Sequence, residues 1–231
     1  MPQRQRWDGT GRFHLASSFG RGYTVSFMFK PLLLLIIAVL ASCTGNQTVR
    51  MVVPKSAGNL MPEKGRVTIV GIEDKRTFER DPDEPSVPSV SPGIHAETSR
   101  ETLVGRRRDT FGRAHGNVML MKGVTVPEKV REIVGEGLAR KGYAATESAG
   151  LPMQVEVVKF WGWKTISFAN ILNADIECVL HIGGGAKRLV VKGYGTHECH
   201  TGGRRHWEAV YRNAVEDFLK NMGRELSVAG Y

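Results

Sequence analysis

Cysteine is scarce in this sequence, with three residues in 231, at positions 43, 178 and 199. That excludes a disulfide-rich scaffold. A long apolar run is missing too. The run from Pro31 to Ala41 has 11 residues, whereas a helix crossing the hydrocarbon core needs about 20. No internal repeat is visible. Signatures of chemistry are equally thin. "GGGAK" at 183–187 lacks the Gly-Lys-Ser/Thr ending of a phosphate loop and runs into strand-like "RLVV", so it reads as a hairpin turn. No nucleophile–base pair, paired-acid constellation or cofactor fingerprint stands out, and neither catalysis nor a cofactor is expected.

What is present begins at "KPLLLLIIAVLASC", Lys30 to Cys43. A positive charge precedes an apolar run of signal-peptide length, small residues follow, and polar "TGNQ" comes after. Leu40-Ala41-Ser42-Cys43 looks like the bacterial lipobox, in which the cysteine thiol takes a diacylglyceryl group and the chain is cut between Ser42 and Cys43. A buried core helix beside an ordinary cysteine is the plainer alternative, and the flanking Lys30 and "TGNQ" argue against it. Signal peptides start near their charged end, yet 27 residues precede Met28, so Met28 is a candidate start. Residues 1–42 are set aside as leader and signal. A lipidated tether is expected over 43–64, and a single domain over 65–231. The tether after the cysteine, with Pro54 and Pro62, would reach about 70 Å if fully extended.

Five of the 32 basic and one of the 23 acidic residues lie in the leader, so the net charge falls from +9 to +5 in the remainder. A mild positive excess favours anionic surfaces without making a nucleic-acid binder. In "ADIECVLHI", Ile176, Cys178, Leu180 and Ile182 alternate onto one face. "GGGAK" turns the chain, and "RLVVKGYGTHE" returns. Pairing Ile182 with Lys187 sets Cys178 opposite Val191 and Cys199 opposite Asn170. The thiols then lie roughly 26 Å apart along the ladder, too far for a disulfide.

"GRVTIVGIEDKR" reads as a central strand, apolar on both faces through Val67, Ile69, Val70 and Ile72. The segment 77–100 carries Pro82, Pro85, Pro88 and Pro92 and reads as an exposed loop. A weak hairpin follows, turning near Gly112 to Gly116. "TVPEKVREIVGEGLARKGY" has Thr125 and Glu128 at capping-box spacing, Pro127 in the first turn and Gly142 at the end. In the last helix Trp207, Val210, Tyr211, Ala214, Phe218 and Met222 share one face. Between the helices "LPMQVEVVKFWGW" is a strand leading into the hairpin. The order predicts an α+β fold, with an antiparallel or mixed sheet and two amphipathic helices packed on one face.

These parts resemble the YajG-like family of bacterial envelope lipoproteins. The likeness runs from about Val67 to Leu226, through "VTIVGIEDKR", "EKVREIVGEGLARKGY", "LPMQVEVVKFW", the hairpin and "WEAVYRNAVEDFLKNM". It departs at the Pro-rich insert, at "GRRRD", and at Lys75 between Asp74 and Arg76. A related look belongs to the auxiliary lipoproteins of lipid-transport ABC systems. The resemblance implies an address and an architecture, not a reaction. By likeness to enteric sorting, Thr44 after the cysteine, rather than an aspartate, implies the outer membrane and a domain facing the periplasm.

Candidate binding residues are few. Arg106, Arg107 and Arg108 in "GRRRD" could grip phosphates of anionic lipid, against a solvated loop as the plainer reading. Asp74 and Arg76 close the first strand and could pair locally. Trp161 and Trp163 share one strand face, as core or as partner surface. His197, Cys199 and His200 in "THECH" are of metal-ligating type, but a polar strand end explains them as well, and no metal site is assigned. The expected role is a lipid-anchored binding or structural lipoprotein, accessory to a cell-envelope assembly with a protein partner. One alternative is a lipid or lipopolysaccharide carrier, marked by an apolar cavity at Trp161 or Trp163. A metal-binding envelope protein is the other.

Overall fold

A computed structural model of the chain describes residues 45–56, 64–90, 100–109, 111–165, 170–200 and 202–231. The signal-like run, Ser42 and Cys43 lie outside the described residues. Among those described, the order is β1 (Gln47–Val49), β2 (Gly65–Asp74), β3 (Glu79–Arg80), β4 (Ser89–Val90), β5 (Leu103–Arg108), β6 (Ala114–Leu120), α1 (Val126–Arg140), β7 (Tyr143–Thr146), β8 (Leu151–Thr165), β9 (Asn170–Ile182), β10 (Lys187–Cys199) and α2 (Arg204–Val228). The fold is α+β, a mixed sheet curled into a half-barrel with two helices.

The alternation of β9 fixes the sheet's inner face. Ile176, Cys178, Leu180 and Ile182 are buried there, while Asp175, Glu177 and His181 point outward, half-buried. Gly183, Gly184 and Gly185 take φ of 65°, 67° and 95°, a left-handed run that side chains resist. The turn therefore sets the register. Ile182 pairs with Lys187, Cys178 with Val191 and Cys199 with Asn170, and both thiols are free. β8 pairs antiparallel with β9 along its length. Its other edge forks, with β2 running parallel from Leu151 to Val157 and β5 meeting it at Gly105–Gly162.

Both helices cover the inner face. α1 opens with the expected capping box, Thr125 and Glu128 satisfying each other's backbone N–H, and Gly142 follows its end at φ 83°. α2 buries nine side chains, led by Trp207, Tyr211 and Phe218. Burial of each large apolar side chain contributes about 1.5–3 kcal/mol. α2 lies so close to β10 that a Cβ on Gly193 or Gly195 would meet its backbone.

Three features differ from the sequence expectation. Residues 47–53, read as tether, belong to the domain: β1 pairs parallel with β6, and Val49, Met51 and Val53 are buried while Val52 is 59% exposed. Three alternating apolar residues are too short a signal beside two prolines. In β2 a bulge between Ile69 and Gly71 ejects Val70, 58% exposed, and returns Ile72 to the core side. The strand is interior, between β8 and β7, but it is not apolar on both faces. The Pro-rich segment, as far as it is described, packs on the sheet instead of standing free: β3 and β4 pair, and Ser89 is fully buried.

Candidate functional site

Asp74 and Arg76 do pair, through Arg76 Nε to Asp74 Oδ1 at 2.8 Å and Nη2 to Oδ2 at 2.7 Å. The remaining Arg76 hydrogens go to main-chain carbonyls, Nη1 to Leu103 and Phe160 and Nη2 to Arg100. All five guanidinium donors are used, and the side chain is wholly buried. The pair is a clip holding the end of β2 to β5 and β8. It is not a binding surface.

Arg106 is likewise no solvated or ligand-facing group: it is 2% exposed. Alternation along β5 turns it to the outer face beneath the Pro-rich segment. There Nη2 donates to Asn117 Oδ1 at 3.4 Å, and Asp81 lies 3.6 Å from Nη1. Burial pulls its pKa down, with Asp81 opposing and Arg108 adding to the shift. Trp161 shares that face and is 0% exposed. Its Nε1 donates to Pro85 O at 3.2 Å, and Phe78 meets its ring edge-on. Trp163 is half-buried against Tyr194 and Lys159. The two indoles are used in packing, and a separate cavity of about 280 Å³ is lined by Val49, Met51, Val52, Leu120 and Val124 among others, with neither tryptophan.

The "THECH" side chains do not converge. His197 Nε2 lies 3.0 Å from His206 Nδ1, the rings stacked. Cys199 Sγ donates to Asn170 O at 3.4 Å, its pKa raised by burial. His200 is exposed. Among the described residues no three His, Cys, Asp or Glu side chains are grouped to hold a metal ion.

One cluster does form. Parallel pairing of Gly105 with Gly162 brings Arg107 and Lys164, two residues further along each strand, to the same inner face. A bulge between Arg107 and Arg108 adds Arg108 and His115. These four surround a cavity of about 100 Å³ floored by Leu172 and Trp207. Arg107 Nη1 donates to Gly45 O at 2.8 Å. Arg108 donates Nη1 to Gly112 O and Nη2 to Pro82 O. Among the described residues Arg108 Nε and His115 Nδ1 are buried without a hydrogen-bond partner. Burial and the Arg107 charge lower the His115 pKa, with Asp109 opposing. Sequence reasoning singled out Arg107 and Arg108 and missed His115 and Lys164. No spacing could have found them, because the bulge and a parallel contact across 57 residues of chain bring them in.

The chain is thus an α+β protein with a half-barrel sheet over two helices and a cationic cavity at one end. No family model matches the sequence, and no curated protein does. The solved structures similar to it include two with a TM-score of 0.43 each. One is an uncharacterised protein, 12% identical, covering 78% of this chain and 99% of its own. The other is a Xanthomonas campestris protein described as a member of family DUF330, 11% identical, covering 81% of this chain and 95% of its own. At that similarity they carry no argument about what this chain does.

Proposed function

We propose that the chain is an envelope lipoprotein of the YajG-like kind, lipidated on Cys43 and acting by binding as an accessory part of an envelope assembly. The observation that carries this reading is Leu40-Ala41-Ser42-Cys43 closing an apolar run of 11 residues. The run is too short to span, and among the described residues no helix is long and apolar enough to cross a membrane. Cleavage removes the run, and the acyl chains on Cys43 then supply the anchor, each buried methylene adding about 0.8 kcal/mol. Thr44 supports delivery to the outer membrane.

Intact mass of the membrane-extracted chain tests this. The expected species begins at Cys43 and carries acyl mass, and Cys43→Ser yields a longer, unacylated chain. An unmodified Met1 or Met28 terminus on the wild-type chain overturns the reading. Crosslinking in intact cells, followed by capture and mass spectrometry, identifies the protein partner.

A further inference from the structure

The cationic cavity contains a donor with no acceptor. Arg108 Nε can only donate, and it is buried with no hydrogen-bond partner among the described residues. His115 Nδ1, on the same wall, is unpartnered too. Leaving a buried polar group unmet costs about 1–3 kcal/mol; an acceptor entering from outside would satisfy Arg108 Nε, and would satisfy His115 Nδ1 in the tautomer that carries its proton there. Among the described residues no carboxylate lines the cavity. α2 begins beside it with Gly203 as N-cap, no side-chain cap and no acid in the first turn, which leaves the positive end of its dipole uncompensated. The volume of about 100 Å³ equals that of about three liquid waters, room for one tetrahedral oxyanion.

Position along the chain indicates where the oxyanion would come from. Arg107 in the cavity wall holds Gly45 O, and Gly45 is two residues from Cys43. Two residues span at most about 7 Å. At the tip of the same hairpin, Phe111 is 80% exposed, with Arg113 over its ring at 5.3 Å. An exposed aromatic beside basic residues is the composition of a membrane–water interface. We propose that this cavity binds the phosphate group of an anionic phospholipid headgroup, seating the domain against the bilayer that holds its anchor. The choice of bilayer lipid as the source rests on the lipid-anchor reading; the oxyanion site does not.

The test uses the full chain in neutral detergent, titrated with micelles doped with phosphatidylglycerol or phosphatidylcholine and, separately, with inorganic phosphate. Binding to phosphatidylglycerol is expected to exceed that to phosphatidylcholine by about tenfold, and Lys164→Glu to weaken it by about tenfold. Lys220→Glu, the same charge change at an exposed site on α2, is expected to leave it within about twofold. Phe111→Ser weakens micelle binding and leaves inorganic phosphate binding unchanged. Equal losses from Lys164→Glu and Lys220→Glu overturn the proposal in favour of diffuse surface charge. Inorganic phosphate binding without preference for phosphatidylglycerol overturns the bilayer as source. Cys43→Ser chain gives the same titration if the site exists without acylation, so a failed site and a failed anchor are told apart.

Discussion

Arg76 shows how much one side chain can hold. It gathers a carboxylate from β2 and three carbonyls, from β5, β8 and Arg100 ahead of β5, into one fully paired, buried group. Breaking such a pair from one side leaves Asp74 and three acceptors behind, and the cost is about 3–5 kcal/mol. Arg76→Met should therefore lower the urea midpoint sharply. Arg188→Gln, at an exposed position, should stay within about 0.5 kcal/mol. The Asp-Lys-Arg order in the sequence announced a local pair, but not its burial. Nothing near Arg76 in sequence says that Arg100, Leu103 and Phe160 would present their carbonyls to it. Arg106, by contrast, keeps Nε and Nη1 without hydrogen-bond partners, so two arginines 30 positions apart have opposite standing.

At the scale of elements, contact between α2 and β10 depends on glycine. A methyl at Gly195 would run into Val210 O and Ala214 N of the helix, backbone that cannot turn aside. Gly195→Ala should cost about 1–3 kcal/mol through forced displacement. Gly135 lies inside α1, and nothing stands within 4 Å of the place a Cβ would take there. Gly135→Ala should gain about 0.5–1 kcal/mol from reduced backbone freedom of the unfolded chain. Thermal unfolding of the two variants should thus move in opposite directions, and parallel shifts would contradict the packing described for α2. Both helices were legible from periodicity, the first also from its caps, and the β9–β10 register from its glycine turn. The glycines of β10 were not legible as contact points, since close approach is a property of two elements and not of one.

For the molecule as a whole, the decisive addition is the segment 47–53. It closes the β6 edge of the sheet and extends the core, so the domain begins almost at the proposed anchor instead of at the end of a long tether. Met51 is 5% exposed and its neighbour Val52 59%. Met51→Ala should cost about 2–5 kcal/mol, and Val52→Ala no more than about 0.5. Chemical denaturation of the two checks it, and a free tether would show no difference. The proposed seating of the domain on a bilayer rests on the same short connection.

The sequence by itself determined the class of fold, both helices, the first with its ends, the long hairpin in register and the absence of a Cys178–Cys199 bond. Each of these depends on local rules: a period of two or 3.6, a capping pair, a run of glycines. The tertiary structure alone decided that Arg106 and Trp161 are covered, that Val70 is ejected, and that Arg107, Arg108, His115 and Lys164 meet around one cavity. Bulges shift which face a residue occupies, and a parallel contact joins strands far apart in the chain. Neither leaves a periodic mark for sequence to carry.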